Sequence, residues 1–236
     1  MSHWIAFWDG PHSIYVNARH KEVHYRLVAE EIAALVPSPA ARVLDYGSGE
    51  ALRADLVAAA AGKLFLCEGA PRMRAGIAAR FAGFSKICVI APEDVERLRK
   101  HSLDLIMLHS VAQYLEPDET AVLFELFQRL LKSNGVLIVS DVIAPNVSVW
   151  TDAIALLRFG AANGFLVASI VGLTRTLLSD YRRLRSHFGI TRFTEADMIQ
   201  ELNAAGFVTR RAAKNLGHNQ TRMAFIAQPV SADCPD

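Results

Sequence analysis

The sequence predicts a doubly wound α/β domain, and three observations carry that prediction. Short apolar strands alternate with helical stretches; the first strand, Arg42 to Tyr46, runs into Gly47-Ser48-Gly49; and the next apolar run, Leu64 to Cys67, ends on the carboxylate of Glu68. Strands that are apolar on both faces belong in a parallel sheet covered by helices on each side. Such sheets take ligands at the carboxyl ends of their strands.

Residues 19–36 place Val23, Leu27, Val28, Ile32 and Leu35 at helical spacing, and Pro37 and Pro39 stop that helix. Beyond the glycine turn a helix is expected from Ala51 to Ala61, and another follows Pro71. Ile87 to Ile90 reads as the third strand and Leu103 to Leu108 as the fourth. From Pro117 to Lys132 an apolar stripe (Val122, Leu123, Leu126, Leu130) predicts a helix stopped by Asn134-Gly135, with Val136 to Ser140 as the fifth strand. Residues 146–188 break the rhythm: they read as helical and apolar, without a strand. A last helix, Thr194 to Ala205, starts on Thr194, carries Glu195 and Asp197 in its first turn and ends at Gly206; Phe207 to Ala212 and Met223 to Ala227 then close the sheet as a hairpin.

At 236 residues, with no repeat or low-complexity linker, the chain predicts one domain with embellishments. A hydrophobic fraction of 52% against 21% charged residues supports a large core and argues against disorder. A formal net charge of +1 argues against a general nucleic-acid binder. Cys67, Cys88 and Cys234 are scattered, without C-x-x-C spacing, which fits a reduced, cytoplasmic protein with no metal site. The first residues lack the pattern of a secretory signal, and the longest uncharged stretch, Phe159 to Thr174, is short for a bilayer span.

The glycine bend is the strongest local signal. Gly47 and Gly49 let the backbone turn sharply and approach a ligand closely. Asp45, just before the bend, can accept hydrogen bonds from an ammonium group, which favours a cationic amino-acid ligand. A dinucleotide fingerprint would need a glycine where Leu52 stands, and Asp45 and Glu50 would oppose a pyrophosphate; a P-loop would need Lys and Ser/Thr. Glu68, about twenty residues downstream, is placed to accept both ribose hydroxyls of a nucleoside. An ordinary tight turn and a solvated strand-end glutamate are the competing readings.

Asp45-Tyr46-Gly47-Ser48-Gly49, Glu68-Gly69 and Leu103-Asp104-Leu105-Ile106-Met107-Leu108-His109 together resemble the class I S-adenosylmethionine-dependent methyltransferases, over residues 25–145 and more loosely 190–228. The chain is similar to their small-molecule branch, related to ubiquinone and menaquinone biosynthesis, and Arg192 to Asp197 with Ala204 to Phe207 is similar to that branch's late helix and strand. The resemblance implies a Rossmann-like seven-stranded sheet with the last strand antiparallel and a helical insertion after strand five. It divides the chain into an N-terminal lid and helix (1–40), a cofactor-binding core (41–145), a helical substrate or cap insertion (146–190), and a closing helix and hairpin (191–228). It further implies that Asp45, Gly47, Ser48 and Gly49 hold the methionine part of S-adenosylmethionine. Glu68 and Gly69 would hold the ribose, with Asp94 beside the adenine and His109 and Ser110 opening onto the methyl group. Tyr15, with Arg19 as the alternative, would meet the methionine carboxylate. The product would be S-adenosylhomocysteine.

Methyl transfer from a sulfonium is an in-line displacement, which chiefly needs alignment and exclusion of water. An oxygen nucleophile also needs a base near neutral pH, and the candidates are His109, His20 and His24. His20 and His24 lie four apart on one helix face, but without an H-E-x-x-H signature; interfacial packing is their alternative use. The aromatic N-terminal segment Trp4 to His12 is expected to fold over the site as a lid. In residues 146–190, apolar side chains such as Ile154, Leu157, Phe165 and Ile170 are punctuated or followed by Arg158, Arg175, Arg182, Arg183 and Arg185. That composition suits a hydrophobic, lipid-like acceptor gathered by peripheral contact with a membrane, or else packing on the sheet edge or in a homodimer. The expected activity is methyl transfer to a small hydrophobic molecule. The alternatives are a non-catalytic S-adenosylmethionine-binding regulatory module and a nicotinamide-dependent reductase.

Overall fold

A computed structural model describes residues 2–10, 14–176 and 189–230. His12, Arg182, Arg183 and Arg185 of the sequence reading lie outside these. Seven strands, β1 (Arg42–Tyr46), β2 (Lys63–Cys67), β3 (Ile87–Ile90), β4 (Leu103–His109), β5 (Leu131–Val142), β6 (Phe207–Arg211) and β7 (Met223–Pro229), form one sheet in the order β3-β2-β1-β4-β5-β7-β6. Strand β7 runs antiparallel to both of its neighbours. The order reverses at β1, so the ends of β1 and β4 flank a crevice, the place where an open α/β sheet binds its ligands.

The helices are α1 (Ser2–Trp8), α2 (Ala18–Leu35), α3 (Ala54–Ala60), α4 (Pro71–Arg80), α5 (Pro92–Val95), α6 (Pro117–Leu130), α7 (Val149–Asn163), α8 (Leu166–Thr176) and α9 (Glu195–Ala204). They cover the sheet on both faces and leave two buried cores. One packs Phe124 and Phe127 of α6 and Met198 and Leu202 of α9 against Leu44, Ile106, Leu108 and Phe225. The other packs Val28 and Ile32 of α2 and Val57 of α3 against Val43, Leu105 and Met107. Strand residues therefore alternate between two apolar compartments, which is why β1 and β4 read as continuous apolar runs. Asn17 caps α2 by accepting the His20 N–H at 2.8 Å, and Thr194 caps α9 by accepting the Asp197 N–H at 3.1 Å.

The Asn134-Gly135 helix stop is corrected by the structure. Helix α6 ends at Leu130, four residues earlier, and β5 begins at Leu131, which is fully buried and already pairs with Leu103 of β4. Asn134 and Gly135 sit instead in an irregularity where β5 loses register with β4 between Leu103 and Leu105. Asp104 ties this bulge down, accepting from Lys132 Nζ at 2.6 Å and from the Arg42 N–H at 2.8 Å.

The insertion after β5 is α7 and α8, a helical hairpin closed at Gly164, whose φ of +76° serves the turn. Its outer face is apolar: Val149, Trp150 and Val167 are exposed. Among the described residues no helix is long and apolar enough to cross a membrane.

Candidate active site

The residues after β1 turn back on themselves through positive φ at both glycines, +75° at Gly47 and +56° at Gly49. The N–H groups of Gly47 and Ser48 both donate to the Cys67 carbonyl, at 2.8 and 3.1 Å, which pins the bend to the end of β2. A Cβ on Gly47 would lie 2.4 Å from Val111 Cγ2, so the bend is also packed from above.

Glu68, at the end of β2, is buried and engages the bend directly. One carboxylate oxygen accepts the Gly49 N–H at 2.9 Å and the other accepts the Ala70 N–H at 2.8 Å. Burial raises its pKa above the usual carboxylate value, and these N–H donors oppose the rise. Asp45 lies beneath the bend. Burial first, and the Glu68 charge second, push its pKa up to about 7. A cation arriving there would restore its ionised form.

The bend, Glu68 and Gly69 open onto a cavity of about 690 Å³. Its wall includes Trp4 and Ile5 of α1, Tyr15, His20, His24 and Tyr25 around α2, and His109 and Ser110 at the end of β4. Trp4 packs against Tyr114 with ring centroids 4.5 Å apart and planes tilted by 45°, and Ile5 sits over Gly69, so α1 covers this end. Asp9 accepts the Arg72 N–H at 2.6 Å and holds α1 to the start of α4.

The sequence-expected site residues are not all placed alike. Tyr15, Gly47, Ser48, Gly49, Glu68, Gly69, His20, His24, His109 and Ser110 line the cavity. Asp45 lines a small adjoining pocket of about 60 Å³ that shares Gly47, Ser48, His24, Tyr25 and His109 as walls. Arg19 and Asp94 line neither. Arg19 Nε donates to the Asn163 carbonyl at 2.7 Å, while Asp94 accepts the Ala91 N–H at 3.2 Å and pairs with Arg97 at 2.9 Å. Pro92 is the residue of α5 on the cavity wall.

Four imidazoles meet in the cavity. His24 lies 6.4 Å from His109 and 6.0 Å from His218, and His20 lies 6.4 Å from His24 and 6.2 Å from His218, between ring centroids. Loss of water around them lowers all four pKa values: His20 falls to about 4, and His109 falls although the Asp141 carboxylate opposes the shift. The lowering favours the neutral form of all four, so they offer lone pairs rather than positive charge. Among the described residues, no group of three or more His, Cys, Asp or Glu is arranged to hold a metal ion.

His109 Nδ1 is 2.9 Å from Ser140 Oγ, while its Nε2 is buried and, like His24 Nδ1, has no hydrogen-bond partner among the described residues. The neighbouring backbone is strained: Ser110 and Asp141, whose side chains hydrogen-bond each other, have φ of +58° and +61°.

His218 was not among the sequence candidates. It sits in the connection between β6 and β7, stacked on Phe159 of α7 at 4.3 Å and 10°. The connection is fastened by Asn215 Oδ1, which accepts the Asp141 N–H at 2.9 Å, and by the Gly217 N–H, which donates to Glu31 of α2 at 2.5 Å. The only local signal was an unusually long, amide-rich hairpin connection, Asn215 to Gln220.

Residues 44–139 match a family model described as a methyltransferase domain. No curated protein sequence matches the chain significantly. Among solved structures, the pyocyanin biosynthetic protein PhzM is similar at 13% identity and a TM-score of 0.57, covering 87% of this chain. This chain spans 55% of the length of PhzM. Magnesium protoporphyrin IX methyltransferase (ChlM) from Synechocystis PCC 6803, solved with bound S-adenosylmethionine, is similar at 16% identity and a TM-score of 0.55, covering 97% of this chain and 90% of its own. An S-adenosylmethionine-dependent methyltransferase from Leishmania major is similar at 15% identity and a TM-score of 0.58, covering 96% of this chain and 81% of its own. These likenesses establish the Rossmann-like methyltransferase fold.

Proposed function

We propose that the chain transfers the methyl group of S-adenosylmethionine to an oxygen of a small hydrophobic molecule, in the manner of the small-molecule branch that its sequence resembles. One observation carries this reading: a buried carboxylate, Glu68, is locked to the Gly49 N–H in a cavity of about 690 Å³ that four imidazoles with lowered pKa values also line. The methyltransferase-domain match over residues 44–139 supports it.

The residues present fit that cofactor. The bend offers backbone without Cβ atoms, Ser48 Oγ is buried without a partner among the described residues, and Asp45 is a carboxyl poised to ionise beside a cation. Asp45 and Gly47 to Gly49 would hold the methionine part, Glu68 and Gly69 the ribose, and Pro92 would face the adenine in place of Asp94. Tyr15, rather than Arg19, would reach the methionine carboxylate. When bound, the cofactor supplies an electrophilic methyl on a sulfonium, whose C–S electron pair stays on sulfur as the neutral thioether of S-adenosylhomocysteine. His109 would accept the acceptor's hydroxyl proton at Nε2, in the tautomer whose Nδ1–H donates to Ser140 Oγ. His24 and His20 would complete the wall, and α1 would act as a lid that keeps water out.

Substrate entry is proposed along the outer face of α7 and α8, resting on an anionic membrane surface. Exposed Trp150 and Val167, and the arginines that follow in the sequence, support that reading.

Titration with S-adenosylhomocysteine by calorimetry, followed by incubation with S-adenosylmethionine and cell extract and mass spectrometry of metabolites that gain one methyl, tests the assignment. Saturable binding and a methylated product are expected. Binding without turnover would favour a regulatory module, and preference for a nicotinamide dinucleotide would overturn the reading.

A further inference from the structure

The cavity wall formed by the start of β7 and the first turn of α7 holds a cation whose donors are not all used. Arg222, at the foot of β7, lines the cavity with its side chain 10% exposed. Its Nη2 donates to Asp152 Oδ2 at 2.8 Å, yet Nε and Nη1 are buried without a hydrogen-bond partner among the described residues. A guanidinium carries five N–H donors, and leaving several unmet in a desolvated place is costly. Native structures tolerate this where a ligand supplies the missing acceptors.

The arginine is also held in position. Asp152, in the first turn of α7, accepts from Arg222 through one oxygen and from Asn219 Nδ2, at 3.0 Å, through the other. His218 stacks on Phe159 of the same helix. The insertion and the β6–β7 connection are thus joined into one wall, remote in sequence from the Gly47–Gly49 bend. The other cations on the cavity wall, Arg72 and Arg80, belong to α4 on the bend side; Arg80 Nη1 is hydrogen-bonded to the Glu50 carbonyl.

We propose that Arg222 is the anchor for an acid group on the methyl acceptor, and that the acceptor is a hydrophobic monocarboxylate bearing a separate hydroxyl. The apolar body of such a molecule would lie against Ile143 and Leu156, with its hydroxyl toward His109. A carboxylate suits the site better than a phosphate. Asp152 already offsets part of the guanidinium charge, and among the described residues no second cation shares this wall to balance a dianion. This inference rests on the methyltransferase reading and narrows its substrate class.

The test uses the full chain saturated with S-adenosylhomocysteine. A panel of hydroxyaryl and hydroxyalkyl carboxylates, beginning with 4-hydroxybenzoate, is titrated beside the matching uncharged amides and the matching phosphates. At least one carboxylate should bind about tenfold or more tightly than its amide and its phosphate. Arg222→Gln should erase the preference for the acid, and Arg222→Lys should keep part of it, while S-adenosylhomocysteine affinity stays unchanged in both. Should Arg222→Gln fold poorly because it strands Asp152, the Arg222→Gln/Asp152→Asn double variant removes both charges together and is expected to lose the same preference. No carboxylate bound better than its amide across the panel, a preference that survives in Arg222→Gln or the double variant, or tighter binding of the phosphates would each overturn the inference. Failure of S-adenosylhomocysteine to bind at all would instead overturn the methyltransferase reading, so the two failures are distinguishable.

Discussion

Glu68 bridges two strand ends by accepting the Gly49 N–H at 2.9 Å, so its carboxylate and the glycine bend form one hydrogen-bonded unit. Glu68→Gln should weaken S-adenosylhomocysteine binding about ten- to hundredfold, because hydrogen bonds to a charged acceptor are the stronger kind. It should also cost about 1–3 kcal/mol of stability, since an amide NH₂ turned toward the Gly49 or Ala70 N–H leaves that buried donor unmet. Calorimetry and urea unfolding read the two effects separately; unchanged affinity would remove Glu68 from the cofactor site.

Asp45 predicts a pH dependence. Its pKa in the folded chain is raised to about 7, so the free fold gains stability as the carboxyl is protonated and loses it as pH rises from the ordinary carboxylate range through about 7. Ligand binding runs the other way, because an ammonium prefers the ionised form. S-adenosylhomocysteine affinity should therefore rise by up to about tenfold per pH unit below 7 and level off above it. Asp45→Asn should flatten that profile and raise the melting temperature of the free protein at pH 8. A profile unaltered by the substitution would dissociate Asp45 from the ligand.

The lowered histidine pKa values predict where the acid limb falls. Because burial lowers the His109 pKa, the acid limb of kcat should lie below the ordinary imidazole value. His109→Gln should reduce kcat about a hundred- to ten-thousandfold with S-adenosylhomocysteine affinity unchanged. Ser140→Ala should cost less, because it loosens the ring without removing the lone pair. A variant lacking His109 with full kcat would transfer the base role to His24 or His218.

Gly47→Ala tests the bend itself. With φ at +75° and Val111 Cγ2 only 2.4 Å from the new Cβ, the substitution should destabilise the chain by about 1–3 kcal/mol and impair cofactor binding with it. Paired with Val111→Ala, part of the stability should return, which denaturant melts of the single and double variants would measure.

The outer face of α7 and α8 predicts vesicle binding. The Trp150→Ser/Val167→Ser variant should lose most of the protein that floats with phosphatidylglycerol liposomes, and raised salt should weaken flotation of the parent chain. Equal recovery of parent and variant in the soluble fraction would remove the membrane contact.

The sequence by itself determined the strand and helix alternation, the bend at Gly47–Gly49 and the carboxylate of Glu68, because each is written in a few contiguous residues by periodicity, glycine and spacing. It misjudged the start of β5. Asn134-Gly135 carries a local helix-stop signal, whereas the pairing of Leu131 with Leu103 at the start of β5 depends on the neighbouring strand. Only the tertiary structure decided that His20, His24, His109 and His218 face one another, that Arg19 and Asp94 are engaged elsewhere, and that Arg222 meets Asp152 from 70 residues away. Such pairings arise from sheet order and from loops fastened by single groups such as Asn215 and Glu31, and no window of local sequence encodes which distant surface a loop will be fastened to.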